Sequence, residues 1–179
     1  MREKAFRLML SALERNTPPL VRSVEIQLLL NLTARGFGVA GECVWIRSPE
    51  GALSAYRDFS LRCMSGGQRN GERLFRHAYR TGERIRRLTG FTAQEDLRRL
   101  VFYLYRNLDI HMTGLIPGTI TVTDCSFSRH YTPQQCEMMS HADAGLIAGV
   151  QGGGRLHFTQ RLTQGCGCCT ACFTGGADR

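Results

Sequence analysis

Hydrophobic residues recur at helical spacing through the first hundred positions of the chain. Apolar side chains three and four positions apart predict helices over residues 3–15, 17–36, 48–65 and 71–88, with a fifth helix beginning at Thr92. Thr17-Pro18 and Ser48-Pro49 are typical helix starts, because a hydroxyl caps free backbone N–H groups and proline fits the first turn. Thr92 and Glu95 have the spacing of a capping box. The first half of the chain is therefore predicted to be helical.

The pattern changes after residue 108. Alternating β-branched residues predict strands over residues 109–112 and 119–124, with a turn at Pro117-Gly118 between them. Thr132-Pro133, with Gln135 at capping-box spacing, predicts a helix to about Gly149, and strands are predicted over residues 155–162 and 168–173. We therefore expect a single α+β domain over residues 1–179. Its helical N-terminal layer (1–108) packs on a small antiparallel sheet from the C-terminal third (109–175), and the polar stretch 65–71 is the nearest approach to a linker.

Composition narrows the class of protein. Hydrophobic residues are 42% and charged residues 21% of the chain, which excludes wholesale disorder. No apolar run approaches a membrane span, and the N-terminus lacks a signal-peptide pattern, so a cytoplasmic protein without a membrane partner is expected. The net charge is +8, with the basic residues densest over 69–99. No nucleic-acid-binding motif accompanies this charge, so we interpret it as a solvated helical face. The apolar content of the long helices is compatible with a homodimer.

The eight cysteines are unevenly distributed. Cys43 and Cys63 stand alone in the first half, and the other six lie in the last third of the chain. Without an export signal, such cysteines are expected to be metal ligands, catalytic thiols or buried small residues, in preference to disulfides.

One group of these residues has the composition of a catalytic site. Cys136, Ser140 and Asp143 fall on one stripe of the predicted helix, and Cys125 ends the strand before it. A helix N-terminus lowers a thiol pKa, and a nucleophilic thiol needs a base or cation nearby. We expect Cys125 or Cys136 to act as nucleophile, with Asp143 and His130 handling protons. Arg129, Arg161 and Ser140 would hold a small anionic or zwitterionic substrate.

A metal site is the alternative. Cys166-x-Cys168 and Cys169-x-x-Cys172 have chelating spacings, and Cys125 and Cys136 could complete a zinc or iron–sulfur site in a redox or sensor protein. In an extended segment, however, Cys169 faces away from the other three cysteines of this run. The cofactor therefore stays open at this point: none, zinc or an iron–sulfur cluster.

The C-terminal half also resembles a known family. Cys125-x-Phe127, Cys136, Asp143, Leu156-x-Phe158, Arg161-Leu162, Gly165, Cys169 and Phe173 are similar to the pattern of the L-2-amino-thiazoline-4-carboxylic acid hydrolase-like family, over roughly residues 100–175. The resemblance implies a small bacterial α+β hydrolase that opens a C–N bond in an amino-acid-like heterocycle, with site candidates Cys125, Cys136, Asp143 and Cys169. The chain departs from the pattern in its extra Cys166, Cys168 and Cys172. A looser likeness to vinyl-reductase-type domains implies a non-catalytic small-molecule-binding module.

Overall fold

The computed structural model describes residues 2–39, 46–65 and 70–175. Within these ranges the α-helices are α1 (Arg2–Arg15), α2 (Pro19–Phe37), α3 (Pro49–Ser65), α4 (Gly71–Thr89), α5 (Gln94–Arg106) and α6 (Pro133–Gln151). The strands are β1 (Ile110–Gly114), β2 (Gly118–Cys125), β3 (Arg155–Gln160) and β4 (Cys169–Thr174), and a 3₁₀ turn spans Leu162–Gln164. Each predicted helix and strand is present to within a few residues. Cys43 and most of the 65–71 stretch, including Arg69, lie outside the described residues.

Two of the four predicted helix starts are confirmed. Thr132 Oγ1 accepts a hydrogen bond from the Gln135 N–H, and Gln135 Oε1 accepts one from the Thr132 N–H, which completes the capping box of α6. At the start of α3, Ser48 Oγ accepts from the Gly51 N–H at 3.1 Å. The first of these caps fixes the end of α6 that carries Cys136.

The other two starts are wrong in detail. Thr17 does not cap α2, because its hydroxyl donates backward to the Leu13 carbonyl at 2.8 Å. Helix α5 begins after Ala93 with no side-chain cap, so Thr92 and Glu95 form no capping box. Glu95 instead accepts two hydrogen bonds from Arg98, at 2.5 and 2.9 Å. Because the Glu95 carboxylate is paired with Arg98, one turn along the helix, it does not accept from the backbone N–H at the helix start as a capping box requires.

The strands form one antiparallel sheet in the order β1-β2-β4-β3. Its central strands place Val122 opposite Cys169 and Thr119 opposite Cys172. Alternation along β4 buries Cys169, Ala171 and Phe173 on one face. Helices in the first half and an antiparallel sheet in the C-terminal part confirm the α+β class.

Helices α4 and α6 approach each other through glycines. A Cβ atom at Gly82, Gly145 or Gly149 would collide with the backbone of the opposite helix. These positions therefore bring the two backbones as close as side-chain-free surfaces allow. The contact fixes α6 between two apolar clusters. One is shared with the sheet and α5, and the other is built mainly from α2 and α3.

The basic surface of α4 matches its interpretation as a solvated face. Its arginines are mostly exposed, and Arg76 and Arg87 face Glu72 and Glu83 one turn away at 3.7 and 3.9 Å. Such exposed pairs contribute little to stability. Among the described residues, no helix is both long and apolar enough to cross a membrane.

Candidate functional site

A cavity lies between the inner face of the sheet and α6, and we call it the sheet cavity. It has a volume of about 60 Å³. Its lining combines apolar residues with Cys125, Cys136, Ser140, Asp143, Cys169 and the ring of Tyr105. The helical stripe predicted from the sequence therefore faces one cavity, together with two of the cysteines that the family resemblance selects. These side chains come from β2, β4, α5 and α6.

Asp143 is the ionisable centre of the sheet cavity. Its Oδ1 accepts a hydrogen bond of 2.8 Å from the Tyr105 hydroxyl. Burial raises the pKa of Asp143 to about 6, although the Tyr105 hydrogen bond and the charge of Arg161 oppose that rise. A carboxyl group with a pKa close to neutrality can both accept and return a proton.

The thiol of Cys125 is strongly held in its neutral form. Burial raises its pKa to about 12, and the backbone N–H groups of Phe127 and Ser128 oppose the rise without cancelling it. The sequence led us to expect a lowered thiol pKa near the start of α6. At Cys125 the loss of solvent outweighs the neighbouring dipoles.

Cys136 lies in a more favourable place. Burial raises the pKa of its thiol, and the charge of Asp143 adds to that rise. A hydrogen bond from Thr163, and then the charge and a hydrogen bond of Arg161, oppose it. The guanidinium of Arg161 lies 4.7 Å from the centre of the Phe158 ring, and its Nη2 donates to Ser140 Oγ at 3.3 Å. Ser140 in turn donates to the Cys136 carbonyl at 2.8 Å. Arg161 and Ser140, both predicted as substrate-binding residues, therefore meet beside Cys136.

One polar atom near this thiol, Arg161 Nε, is fully buried and has no hydrogen-bond partner among the described residues. A buried donor without a partner is costly, so such atoms in native proteins usually await a water or ligand. Arg161 also has no carboxylate within ion-pair distance in the described part of the chain. The donor set suits an anionic group, because a guanidinium binds a carboxylate with two parallel hydrogen bonds.

The other C-terminal cysteines differ in whether their side chains point into the sheet cavity or away from it. Cys169 Sγ lies in the sheet cavity and accepts from the Leu162 N–H at 3.2 Å, and burial raises its pKa. Cys168 Sγ accepts from the Gln160 side chain at 3.1 Å. Cys172 pairs in register with Thr119 and His157 on the other face. None of Cys166, Cys168 and Cys172 is part of the cavity lining.

This division leaves the metal alternative without support. Over residues 2–39, 46–65 and 70–175, no three His, Cys, Asp or Glu side chains are grouped so that they could hold a metal ion. The cysteines at chelating spacing, Cys169 and Cys172, lie on opposite faces of β4.

The predicted loop residues lie elsewhere. The His130 ring is 3.0 Å from Arg57 Nη1, and Arg129 is 77% exposed with Asp124 at 3.8 Å. Neither residue lines the sheet cavity. The structure therefore places Cys125, Cys136, Ser140 and Asp143 on the sheet cavity, and Arg161, outside its lining, donates to Ser140. It does not place His130 or Arg129 with them.

Sequence reasoning gave no role to several polar residues around Asp143. Neither Tyr105 nor Thr163 was singled out as a candidate site residue from the sequence. The hydroxyl of Tyr56 hydrogen-bonds Thr33 at 2.8 Å, and its pKa is raised to about 12 by burial, with a further contribution from the charge of Asp143. These residues belong to separate segments without a shared motif, so only a polar atom in an otherwise apolar helix marks them in the sequence.

Comparison of the chain with family models, with curated proteins and with solved structures finds no match.

Proposed function

We propose that the protein is a hydrolase that breaks a C–N bond in a small, amino-acid-like heterocycle bound in the sheet cavity. The observation that carries the proposal is the placement of Asp143, with a pKa of about 6, in one cavity with the thiol of Cys136. Arg161, whose buried Nε is unpartnered, adjoins both. This arrangement combines a proton acceptor, a nucleophile and an anion-binding group, the parts that such a reaction needs.

The chemistry follows from these three residues. Arg161 binds the substrate carboxylate. Asp143 lies seven residues along α6 from Cys136, so it takes the Cys136 proton through one intervening water as the sulfur attacks the carbon of the C–N bond. The protonated Asp143 then gives its proton to the departing nitrogen. A water molecule, deprotonated by Asp143, releases the product from sulfur and restores the thiol. Cys136 is preferred over Cys125 because Arg161 lowers the pKa of the Cys136 thiol, whereas the Cys125 pKa is about 12.

The direct test is hydrolysis of L-2-amino-thiazoline-4-carboxylate, followed by mass spectrometry of the ring-opened product, which is heavier by one water. We expect Cys136→Ala and Asp143→Asn each to lower kcat/KM by a factor of about 10² or more. The matched control is Cys172→Ala, which removes a thiol outside the cavity and leaves turnover unchanged. Because Asp143 acts first as a base, kcat/KM should fall as the pH drops below about 6.

The variants also separate two versions of the chemistry. If Cys136→Ala keeps full activity while Asp143→Asn loses it, Asp143 activates water directly and no sulfur intermediate forms. Full activity in both variants would end the proposal for this site.

A second candidate is a non-catalytic small-molecule-binding module of the vinyl-reductase-domain kind. The observation that favours it is the raised pKa of all three cavity thiols, Cys125, Cys136 and Cys169, which disfavours the reactive thiolate. This candidate predicts that the same thiazoline carboxylate raises the Tm in the wild type and much less in Arg161→Met, with no product formed.

A further inference from the structure

A second cavity lies on the opposite side of Asp143, and we call it the helical cavity. It is enclosed mainly by α2, α3, α4 and α6 and has a volume of about 40 Å³. Its walls are largely aliphatic, with Leu29, Leu32, Leu74, Ala78, Leu108 and Leu146. Nothing in the proposed reaction uses it.

The two cavities share a wall. Asp143 and Tyr105 line both of them, and they are joined by their own hydrogen bond. That bond uses Asp143 Oδ1, and the described residues give the second carboxylate oxygen no hydrogen bond. These two side chains therefore form part of the wall between a molecule against Asp143 in the sheet cavity and the helical cavity.

The helical cavity suits apolar atoms better than water. A buried water needs two to four polar partners. The hydroxyls here are already engaged, since Thr33 bonds Tyr56 at 2.8 Å and Thr81 donates to the His77 carbonyl at 3.0 Å. The rest of the surface is hydrocarbon, apart from the Asp143–Tyr105 pair.

Size points the same way. A cavity of about 150 Å³ holds benzene in a well-studied case. The sheet cavity, at about 60 Å³, and the helical cavity, at about 40 Å³, are each much smaller than that. A carboxylate-bearing heterocycle is too large for the sheet cavity alone, and the helical cavity is the adjoining space.

We propose that the helical cavity is the apolar subsite of the same ligand site. The polar end of the ligand lies in the sheet cavity against Asp143 and Ser140, beside Arg161, and a short apolar part of roughly one or two carbons extends past Tyr105 into the helical cavity. The proposal rests on the proposed function for its polar end. It narrows the substrate class to small carboxylates with a compact aliphatic branch.

The test uses two probe series, straight-chain carboxylates from acetate to hexanoate and the matching primary amides, titrated against the methyl NMR signals of the full chain. We expect Kd to fall about fourfold for each added methylene, which corresponds to ~0.8 kcal/mol, until the cavity is full. Leu32→Phe narrows the helical cavity and should abolish this gain while leaving acetate binding unchanged. Leu28→Phe, on the exposed side of the same helix (58% exposed), is the matched control.

A third variant guards against a folding defect. Leu32→Ala enlarges the helical cavity and should move the best-bound chain to a longer member of the series. A chain-length gain in either series that Leu32→Phe removes supports the subsite. The absence of any gain in both series, or a gain that persists in Leu32→Phe, overturns it. A gain with no preference for carboxylates over amides keeps the subsite but counts against the anion-binding role of Arg161, so the two proposals fail separately.

Discussion

The two faces of the C-terminal sheet use the same residue types in different ways. On the inner face, Cys169 lies in a cavity with Ala171, between the sheet and α6. On the outer face, Cys172 has Thr119 and His157 as its register neighbours, and both of these are exposed. The two cysteines are three residues apart in the chain, yet only one can take part in chemistry at the cavity.

The comparison teaches that the number of cysteines is less informative than the direction of each side chain. A strand points successive residues to opposite faces, so a C-x-x-C spacing in a strand separates its two thiols. In a loop or at a helix start the same spacing brings them together, as in many zinc sites. The position of β4 in the sheet therefore decides between a shared metal site and two independent thiols.

The environment of the inner face also changes chemistry. Burial raises the pKa values of Cys125, Cys136, Cys169 and Asp143 together. For the thiols, the higher pKa lowers the fraction present as thiolate. For Asp143, the higher pKa brings the carboxyl into the pH range where it can both accept and release a proton. Burial thus moves the pKa of the carboxyl toward neutrality and the pKa of each thiol further above it.

The largest expected effect is the loss of stability caused by a substitution on the inner face of the sheet. Phe173 is 1% exposed and packs in the core shared by the sheet and α5. Phe173→Ala should lower the free energy of unfolding by about 3–5 kcal/mol, because it removes buried surface and leaves a cavity. Cys172→Ala, one position earlier, should change it by less than about 0.5 kcal/mol. Urea unfolding of both variants measures the difference, and equal losses would contradict the assignment of faces.

The next prediction concerns the ionisation of Asp143. Its folded pKa of about 6 lies above the ordinary value of 3.8, so the folded protein binds this proton more tightly than the unfolded chain. The resulting stabilisation is fully present below about pH 4 and is lost as the pH rises through about 6. Two pKa units correspond to roughly 3 kcal/mol.

Asp143→Asn should remove this dependence. We expect the variant to be more stable than the wild type by up to roughly 3 kcal/mol at pH 8 and nearly equal at pH 4. Unfolding in urea at several pH values measures it. Asp124→Asn, at a carboxyl that is 57% exposed, is the control and should leave the pH profile unchanged. A parallel profile for Asp143→Asn and the wild type would show that Asp143 titrates normally.

The sequence predicted the parts of the site that depend on local geometry. Helical spacing was sufficient to place Cys136, Ser140 and Asp143 on one stripe, and alternation placed Leu156 and Phe158 on the face that lines the sheet cavity. These predictions succeed because the repeat of a helix or a strand fixes the direction of each side chain. The resemblance added Cys169, which the structure also places at the cavity.

The rest depends on tertiary contacts. Tyr56 and Tyr105 reach the neighbourhood of Asp143 from α3 and α5, and no spacing along the chain relates them. His130 follows Cys125 by five residues, yet its ring turns to Arg57 of α3. Nearness in sequence to Cys125 therefore does not bring His130 to the sheet cavity, and no spacing along the chain pointed to Tyr105 as part of its lining.

The smallest expected effect concerns the two predicted capping boxes, at Thr132 and at Thr92. Thr132 caps the helix that carries Cys136, whereas Thr92 has the same spacing and caps nothing. Loss of a helix cap costs about 1 kcal/mol, which local unfolding of the first turns of α6 would register as roughly fivefold more frequent opening. Thr132→Ala should therefore raise the rate at which iodoacetamide modifies Cys136 about fivefold. The rate at Cys169 on β4 should stay the same, and Thr92→Ala should change neither. Peptide mass spectrometry resolves the two sites. An equal rise at both cysteines would mean that the inner face opens as a whole, and that α6 does not unwind separately from the sheet.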